Sequence, residues 1–198
     1  MNENVFYELS PEQVLNGYIN GIFPMGNDDE SITWYEANPR AILPLDIPLN
    51  INRSLKQVLQ KNIFEVKINQ KFPEVIEECA NRETTWINDL IIDAYVQLHR
   101  MGFAHSVETY FEGELAGGLY GVAINGAFFG ESMFFKKSYA SKVAVVNMYE
   151  ILVKNKFHLL DIQMMTDVFK SFGAEHISKA KYLKELEKAL KVKCEFKL

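Results

Sequence analysis

Residues 105–135 read HSVETYFEGELAGGLYGVAINGAFFGESMFF, and the reading of this stretch decides the fold. Three runs rich in β-branched and aromatic residues are separated by tight-turn signals. Glu112-Gly113 ends HSVETYF, and Asn125-Gly126 joins ELAGGLYGVAI to AFFGESMFF. Asn-Gly readily supplies the two positive φ angles of a two-residue hairpin loop. The stretch is therefore expected to be an antiparallel β-meander. Downstream, ASKVAVVNMYEILVK (140–154) reads as a helix, HLLDIQM (158–164) as a strand, then a short helical piece ends at Gly173 and a last helix lies within SKAKYLKELEKALK (178–191).

Upstream, Ser10-Pro11-Glu12-Gln13 has the pattern of a helix start. Ser10 can cap, Pro11 suits the first helical position, and Gln13 completes a capping box. This helix is expected to reach about Asn20 and stop at Gly21. The next stretch, IFPMGNDDESITWYEANPR (22–40), is rich in turn formers and reads as irregular structure. Residues 1–45 are expected to form a small N-terminal lobe, with one larger domain over 46–198. In that domain SLKQVLQK is helical, IFEVKIN a short strand and FPEVIEECAN a helix. Thr84 and Thr85 offer caps for WINDLIIDAYVQLHRMG, which ends at Gly102. Strands in a meander with helices before, between and after give an α+β class.

Composition excludes several alternatives. At 198 residues and 48% hydrophobic content the chain can bury a sizeable core and is not a disordered polymer. The opening MNENVFYELS has neither a basic nor an apolar region, so no secretory signal is expected. No apolar run approaches the roughly 18 residues of a membrane helix. Cys79 and Cys194 are far apart in sequence, which reads as a reduced, cytoplasmic protein. His99, His105, His158 and His176 form no ligand pattern, so no metal site is expected. Charge is uneven. Residues 1–135 carry 8 Lys and Arg against 19 Asp and Glu, a balance of −11; residues 136–198 carry 13 Lys against 7 Asp and Glu, a balance of +6. Such asymmetry fits two differently charged partners, and equally a solvated lysine-rich surface.

A few polar residues stand out from apolar strands. Alternation puts Asp161 and Gln163 on one face of HLLDIQM. A carboxylate there either faces a cleft or is bonded to a neighbouring loop. In AFFGESMFF, Glu131 is the only charge and shares a face with Ala127, Phe129, Met133 and Phe135 by the same alternation. It has a functional reading, and a structural one as partner of a following lysine. Gly117, Gly118 and Gly121 permit close approach of a ligand, or a bulge. No GxGxxG opens a helix and no GxxxxGK[ST] occurs, so no nucleotide cofactor is expected.

The ordered blocks YINGIFPM (18–25), NPRAILPL (38–45), FPEVIEECA (72–80), TWI (85–87), AYVQLHRMGFAHSVE (94–108), LAGGLYGV (115–122), GESMF (130–134), ASK (140–142) and LLDIQ (159–163) resemble the leucyl/phenylalanyl-tRNA–protein transferase family. The resemblance implies a two-lobed enzyme whose larger lobe is similar to the acetyltransferase (GNAT) fold, a mixed sheet flanked by helices. It implies transfer of Leu or Phe, with Met as a further donor, from aminoacyl-tRNA to proteins with N-terminal Lys or Arg, marking them for N-end-rule degradation. No cofactor, no metal, no membrane and a monomer are expected. By resemblance, Asp161, Gln163 and Glu131 fall on the active-site positions. Tyr18, Trp86 and Tyr95 match aromatics near the donor site. Leu119, Met133, Met148 and Leu152 fall where the family lines its amino-acid pocket, with Ser132 and Thr166 beside them. Lys136, Lys137 and Lys142 are the expected contacts to tRNA phosphates. The chain departs from some members at Met25, Met148 and Leu152, where they carry aromatics, and at Thr166, where they carry Asn. A CoA-dependent N-acetyltransferase, a non-catalytic tRNA-binding module and a family member of shifted specificity are the rival readings.

Overall fold

In the computed structural model, which describes residues 6–198, Ser10 caps α1 (Pro11–Ile19) through the full capping box with Gln13. Gly21 follows at φ 80°, a backbone conformation that favours glycine. The stretch expected to be irregular instead forms a hairpin, β1 (Phe23–Gly26) antiparallel to β2 (Ile32–Tyr35). Its polar turn closes on itself: the Asn27 amide donates to Ser31 Oγ and Thr33 Oγ1, both at 2.9 Å. Turn-forming composition therefore marked the loop and hid the two short strands beside it.

The large sheet has seven strands. They are β3 (Arg40–Ile42), β4 (Glu65–Ile68), β5 (Ala104–Phe111), β6 (Glu114–Ile124), β7 (Ala127–Phe135), β8 (Leu159–Asp161) and β9 (Glu175–Ile177). Their order is β4-β5-β6-β7-β8-β3-β9. β4 to β7 are antiparallel neighbours, β8 runs parallel to β7, and β3 is antiparallel to both β8 and β9. The sheet is mixed, as the α+β reading requires. α1 and the hairpin stand outside it, whereas β3 is one of its inner strands.

Helices cover both faces. α1, α3 (Phe72–Ala80), α4 (Asp89–Arg100) and α7 (Lys179–Leu190) pack on one face, around Phe72, Ile91, Tyr95, Phe129 and Tyr182. α2 (Arg53–Lys61), α5 (Ala140–Lys154) and α6 (Asp167–Phe172) pack on the other, around Leu55, Phe128, Val145, Met148 and Leu152. α4 starts later than expected. Its cap is Asn88, whose side chain accepts from the Ile91 N–H at 3.2 Å, and Thr84, Thr85 and Trp86 lie in the preceding loop.

Two local irregularities shape the site. β6 and β7 lose register where Tyr120 faces Ser132 but Gly121 faces Gly130, so Glu131 is the extra residue of a β-bulge. The extra residue reverses the alternation. Ala127 and Phe129 face the α3–α4 side, whereas Met133 faces the α5 side. The expectation is thus corrected for Met133 alone: Glu131 turns to the α4 side with Phe129, and Met133 faces away from it. The glycines serve this packing. A Cβ at Gly117 would stand 2.6 Å from that of Ala140 on α5. The second irregularity ends β8 early. The expected strand stops at Asp161, and Gln163 has φ 53°, in the left-handed region that few non-glycine residues occupy.

Candidate active site

Asp161 sits at the end of β8 and is wholly buried, as is Arg40 of β3, at 0% and 1% exposure. The Arg40 guanidinium forks onto it, Nε to Oδ1 at 2.9 Å and Nη2 to Oδ2 at 2.7 Å. Tyr182 of α7 donates its hydroxyl to Oδ2 at 2.7 Å. The Gln163 backbone N–H donates to Oδ1 at 2.8 Å. Burial pulls the Arg40 pKa down, but the hydrogen bonds and charge of Asp161 outweigh this and leave it raised, so the guanidinium stays charged. Burial and the Asp161 charge raise the Tyr182 phenol, which stays protonated and able to donate. Alternation along a strand does not relate Asp161 to Gln163, because the strand has already ended between them.

Gln163 points the other way. Its Nε2 donates to Glu131 Oε1 at 2.8 Å. Glu131 Oε2 accepts from the Tyr95 hydroxyl at 3.3 Å, and that hydroxyl is hydrogen-bonded to the Tyr18 hydroxyl. Burial pushes the Glu131 carboxyl up to about 7; the Asp161 charge adds to this, while the Tyr18 and Tyr95 hydroxyls and Arg40 oppose it. With Nε2 committed, Gln163 Oε1 is the side-chain acceptor left to meet a molecule beside it.

Glu131 and Gln163 line a cavity of about 270 Å³. Leu119, Met133, Met148, Ile162 and Phe169 supply apolar wall, and Ser132 and Thr166 supply hydroxyls. Phe23 and Met25 of the hairpin and Arg82 and Trp86 of the α3–α4 loop also line it. The loop is tied down on both sides. The Gly26 N–H donates to the Trp86 carbonyl at 2.8 Å, and Arg82 Nη2 reaches Ser132 Oγ at 2.9 Å.

The structure thus brings Glu131, Gln163, Trp86, Leu119, Ser132, Met133, Met148 and Thr166 around one cavity. Tyr18 and Tyr95 are fully buried and stand behind Glu131. Asp161 stands behind Gln163, and Leu152 lies in the core beneath α5. The lysines lie outside the cavity wall. Lys136 pairs with Glu78 at 2.5 Å, Lys137 lies 3.4 Å over the Phe111 ring, and Lys142 lies 5.7 Å from the Tyr139 ring centre. Arg40, Arg82, Tyr182, Phe23, Ile162 and Phe169 were not singled out in the sequence. Arg40 lies inside the NPRAILPL block and Ile162 between the two polar residues of LLDIQ, but their roles depend on contacts far along the chain.

The family model for leucyl/phenylalanyl-tRNA protein transferase matches residues 42–187, and the model for its N-terminal domain matches residues 7–38. A leucyl/phenylalanyl-tRNA–protein transferase of Rubrobacter xylanophilus is 46% identical over 185 residues, covering 93% of this chain and 96% of that one. One of Herpetosiphon aurantiacus is 44% identical over 188 residues, covering 95% of this chain and 98% of that one. Among solved structures, L-PGS from Bacillus licheniformis is similar at TM-score 0.45 and 10% identity over 92% of this chain and 63% of that one. The family models and the two transferases of Rubrobacter and Herpetosiphon define a transferase. The chain belongs to the leucyl/phenylalanyl-tRNA–protein transferase family.

Proposed function

We propose that the protein moves leucine or phenylalanine, with methionine as a further donor, from aminoacyl-tRNA to the α-amino group of proteins beginning with Lys or Arg, marking them for N-end-rule degradation. The observation that carries this reading is the orientation of Gln163: its Nε2 is held by Glu131 at 2.8 Å, on the wall of a largely apolar cavity. The remaining Oε1 accepts an N–H from the incoming amine and aims its lone pair at the ester carbon.

The aminoacyl ester is already activated. The amine nitrogen forms a bond to the carbonyl carbon, and the bond from that carbon to the ribose oxygen breaks. The leaving oxygen takes up a proton and the nitrogen gives one up. A free α-amine has a pKa of about 7.7–8.0, so a usable neutral fraction exists near pH 7. Holding amine and ester together supplies up to about 7–11 kcal/mol of the acceleration. Gln163 is the catalytic residue in this scheme. Asp161 is a positioning residue, because its oxygens are already engaged by Arg40, Tyr182 and the Gln163 N–H.

The donor's leucyl or phenylalanyl side chain occupies the wall of Leu119, Met133, Met148 and Ile162, with Phe23, Met25 and Trp86 toward its adenosine. Glu131 meets the cationic side chain of the acceptor. Residues 1–45 supply the donor side, their last strand, β3, entering the large sheet, and residues 46–198 supply the rest of the catalytic domain. The succession of antiparallel meander, crossover helix α5 and parallel strand β8 supports an acetyltransferase-like (GNAT-like) reading of that domain. Lys136, Lys137 and Lys142 meet tRNA phosphates, and the protein acts as a cytoplasmic monomer without a cofactor. No helix among the described residues is long and apolar enough to cross a membrane.

Incubation with leucyl-tRNA and an Arg-initiated peptide tests the reading by mass spectrometry. One added leucyl residue at the peptide N-terminus is expected. Acetylation from acetyl-CoA in place of leucyl transfer would overturn it.

A further inference from the structure

We infer that Arg40 and Tyr182 are positioning residues for the transfer, which hold the Gln163 amide in its working orientation by way of Asp161; this rests on the reading of Gln163 given above. Neither lines the cavity. Arg40 is contributed by β3 near one end of the chain and Tyr182 by α7 near the other, and both converge on one carboxylate. An ion pair buried this deeply is a weak source of stability, because removing two charges from water offsets most of their attraction. Its effect on geometry is more direct. Three side-chain donor groups, two of them from one rigid guanidinium fork, fix both oxygens of Asp161 and aim Oδ1 at the Gln163 N–H.

The Gln163 backbone needs that hold. Its φ of 53° is unfavourable for a residue with a Cβ, and such conformations persist where the surroundings over-determine them. Here the N–H is taken by Asp161 at 2.8 Å and the carbonyl accepts from the Ala41 N–H at 3.0 Å. Ala41 is the next residue along β3 from Arg40, so one strand secures both sides of the Gln163 backbone. The same guanidinium donates Nη1 to the Gly21 carbonyl at 3.0 Å and lies 4.8 Å from the centre of the Phe23 ring. Phe23 lines the cavity, so Arg40 ties the hairpin wall and the amide to one point. Without the anchor, the Gln163 peptide relaxes toward an ordinary conformation and the amide leaves its line to the ester.

Tyr182→Phe is the cleanest probe. It keeps the ring 4.6 Å from the Arg40 guanidinium and removes only the hydroxyl. At saturating leucyl-tRNA and Arg-initiated peptide, kcat should fall between about 10- and 100-fold, the scale of a small misplacement of reacting groups. KM for leucyl-tRNA should not change. In a Gln163→Ala background, Tyr182→Phe should have no further effect on kcat, because the residue acts through an amide already gone. In kcat, Arg40→Lys, which keeps charge but not the fork, should show the same non-additivity in preparations folded by circular dichroism, while its effect through the Phe23 wall falls on KM. Wild-type kcat in Tyr182→Phe would overturn the inference. So would an equal loss with and without the Gln163 side chain, which is the mark of general loosening. Wild-type kcat in Gln163→Ala itself would overturn the amide reading and this inference together.

Discussion

The backbone N–H of Gln163 donates to Oδ1 of Asp161 at 2.8 Å, yet the two side chains point to different places: that of Asp161 inward to Arg40 and Tyr182, that of Gln163 outward to Glu131. Neighbours in sequence thus divide the work. One is an anchor in the core and the other presents an amide to the cavity.

That division predicts different failures for the two alanine variants. Gln163→Ala should lower single-turnover transfer by about 10²–10⁴-fold, the usual worth of a positioned proton-handling group, with a melting temperature close to wild type. Asp161→Ala leaves the Arg40 charge buried without its partner, which costs about 3–5 kcal/mol. Its loss of activity should therefore come with a clear fall in melting temperature. An Asp161→Ala protein as stable as wild type would contradict the anchor.

Glu131 makes stability depend on pH. Burial pushes its folded carboxyl up to about 7, above the 4.5 of an ordinary glutamate, so between those values the folded state binds more protons than the unfolded state. Stability from this group is full at low pH and declines as pH rises from about 4.5 through 7, by roughly 2–3 kcal/mol between pH 5 and 8. Urea unfolding of wild type and Glu131→Gln should show the variant gaining on wild type across that interval. Parallel pH profiles would place the carboxyl in a polar environment instead.

Donor choice should follow the cavity wall. Met133 and Met148 are adaptable, and the wall accepts side chains unbranched at Cβ more readily than valine or isoleucine. Discrimination by such a wall is worth about 1–3 kcal/mol, or roughly 10–200-fold in kcat/KM. Leu152 lies in the core, off that wall. Leu152→Ala should cost about 2–5 kcal/mol of stability and leave the ranking of leucyl-, phenylalanyl- and valyl-tRNA unchanged. A changed ranking would put Leu152 in contact with the donor.

Salt should weaken donor binding. Each phosphate neutralised on a single strand adds about 0.7 to the log–log slope. Lys137 and Lys142 form no salt bridge among the described residues, whereas Lys136 is partnered by Glu78. Lys137→Glu should therefore raise KM for charged tRNA more than Lys136→Glu does. An unchanged salt slope in both would move the tRNA path elsewhere.

Local chemistry made much of the fold legible. The strands Glu114–Ile124 and Ala127–Phe135 and the helix Ala140–Lys154 follow directly from the Asn125-Gly126 turn and the change of period after it. The hairpin at Phe23–Tyr35 was not legible, because side-chain hydrogen bonds from Asn27 stabilise a turn whose strands are only four residues each. At the site, Glu131 and Gln163 are legible as polar residues in apolar runs, but the direction of each side chain is not. One bulged residue reverses the side-chain alternation of β7, and one left-handed residue ends β8; neither has a simple signature in composition. Arg40 meets Asp161 across 121 positions of sequence, a pairing that only the folded sheet creates.

The most direct test of the proposed reaction is transfer of labelled amino acids from total charged tRNA to a peptide panel that varies only the first residue. A cationic side chain entering this partly dehydrated site needs an opposite charge, and Glu131 is the carboxylate on the cavity wall. A neutral first residue forgoes that charged contact, at about 1–3 kcal/mol. Leucine and phenylalanine should therefore appear on Arg- and Lys-initiated peptides, with kcat/KM roughly 5–150-fold above the Ala-initiated one on that energy scale. Equal kcat/KM for Arg-, Ala- and Asp-initiated peptides, or label drawn indifferently from valyl-tRNA, would contradict it.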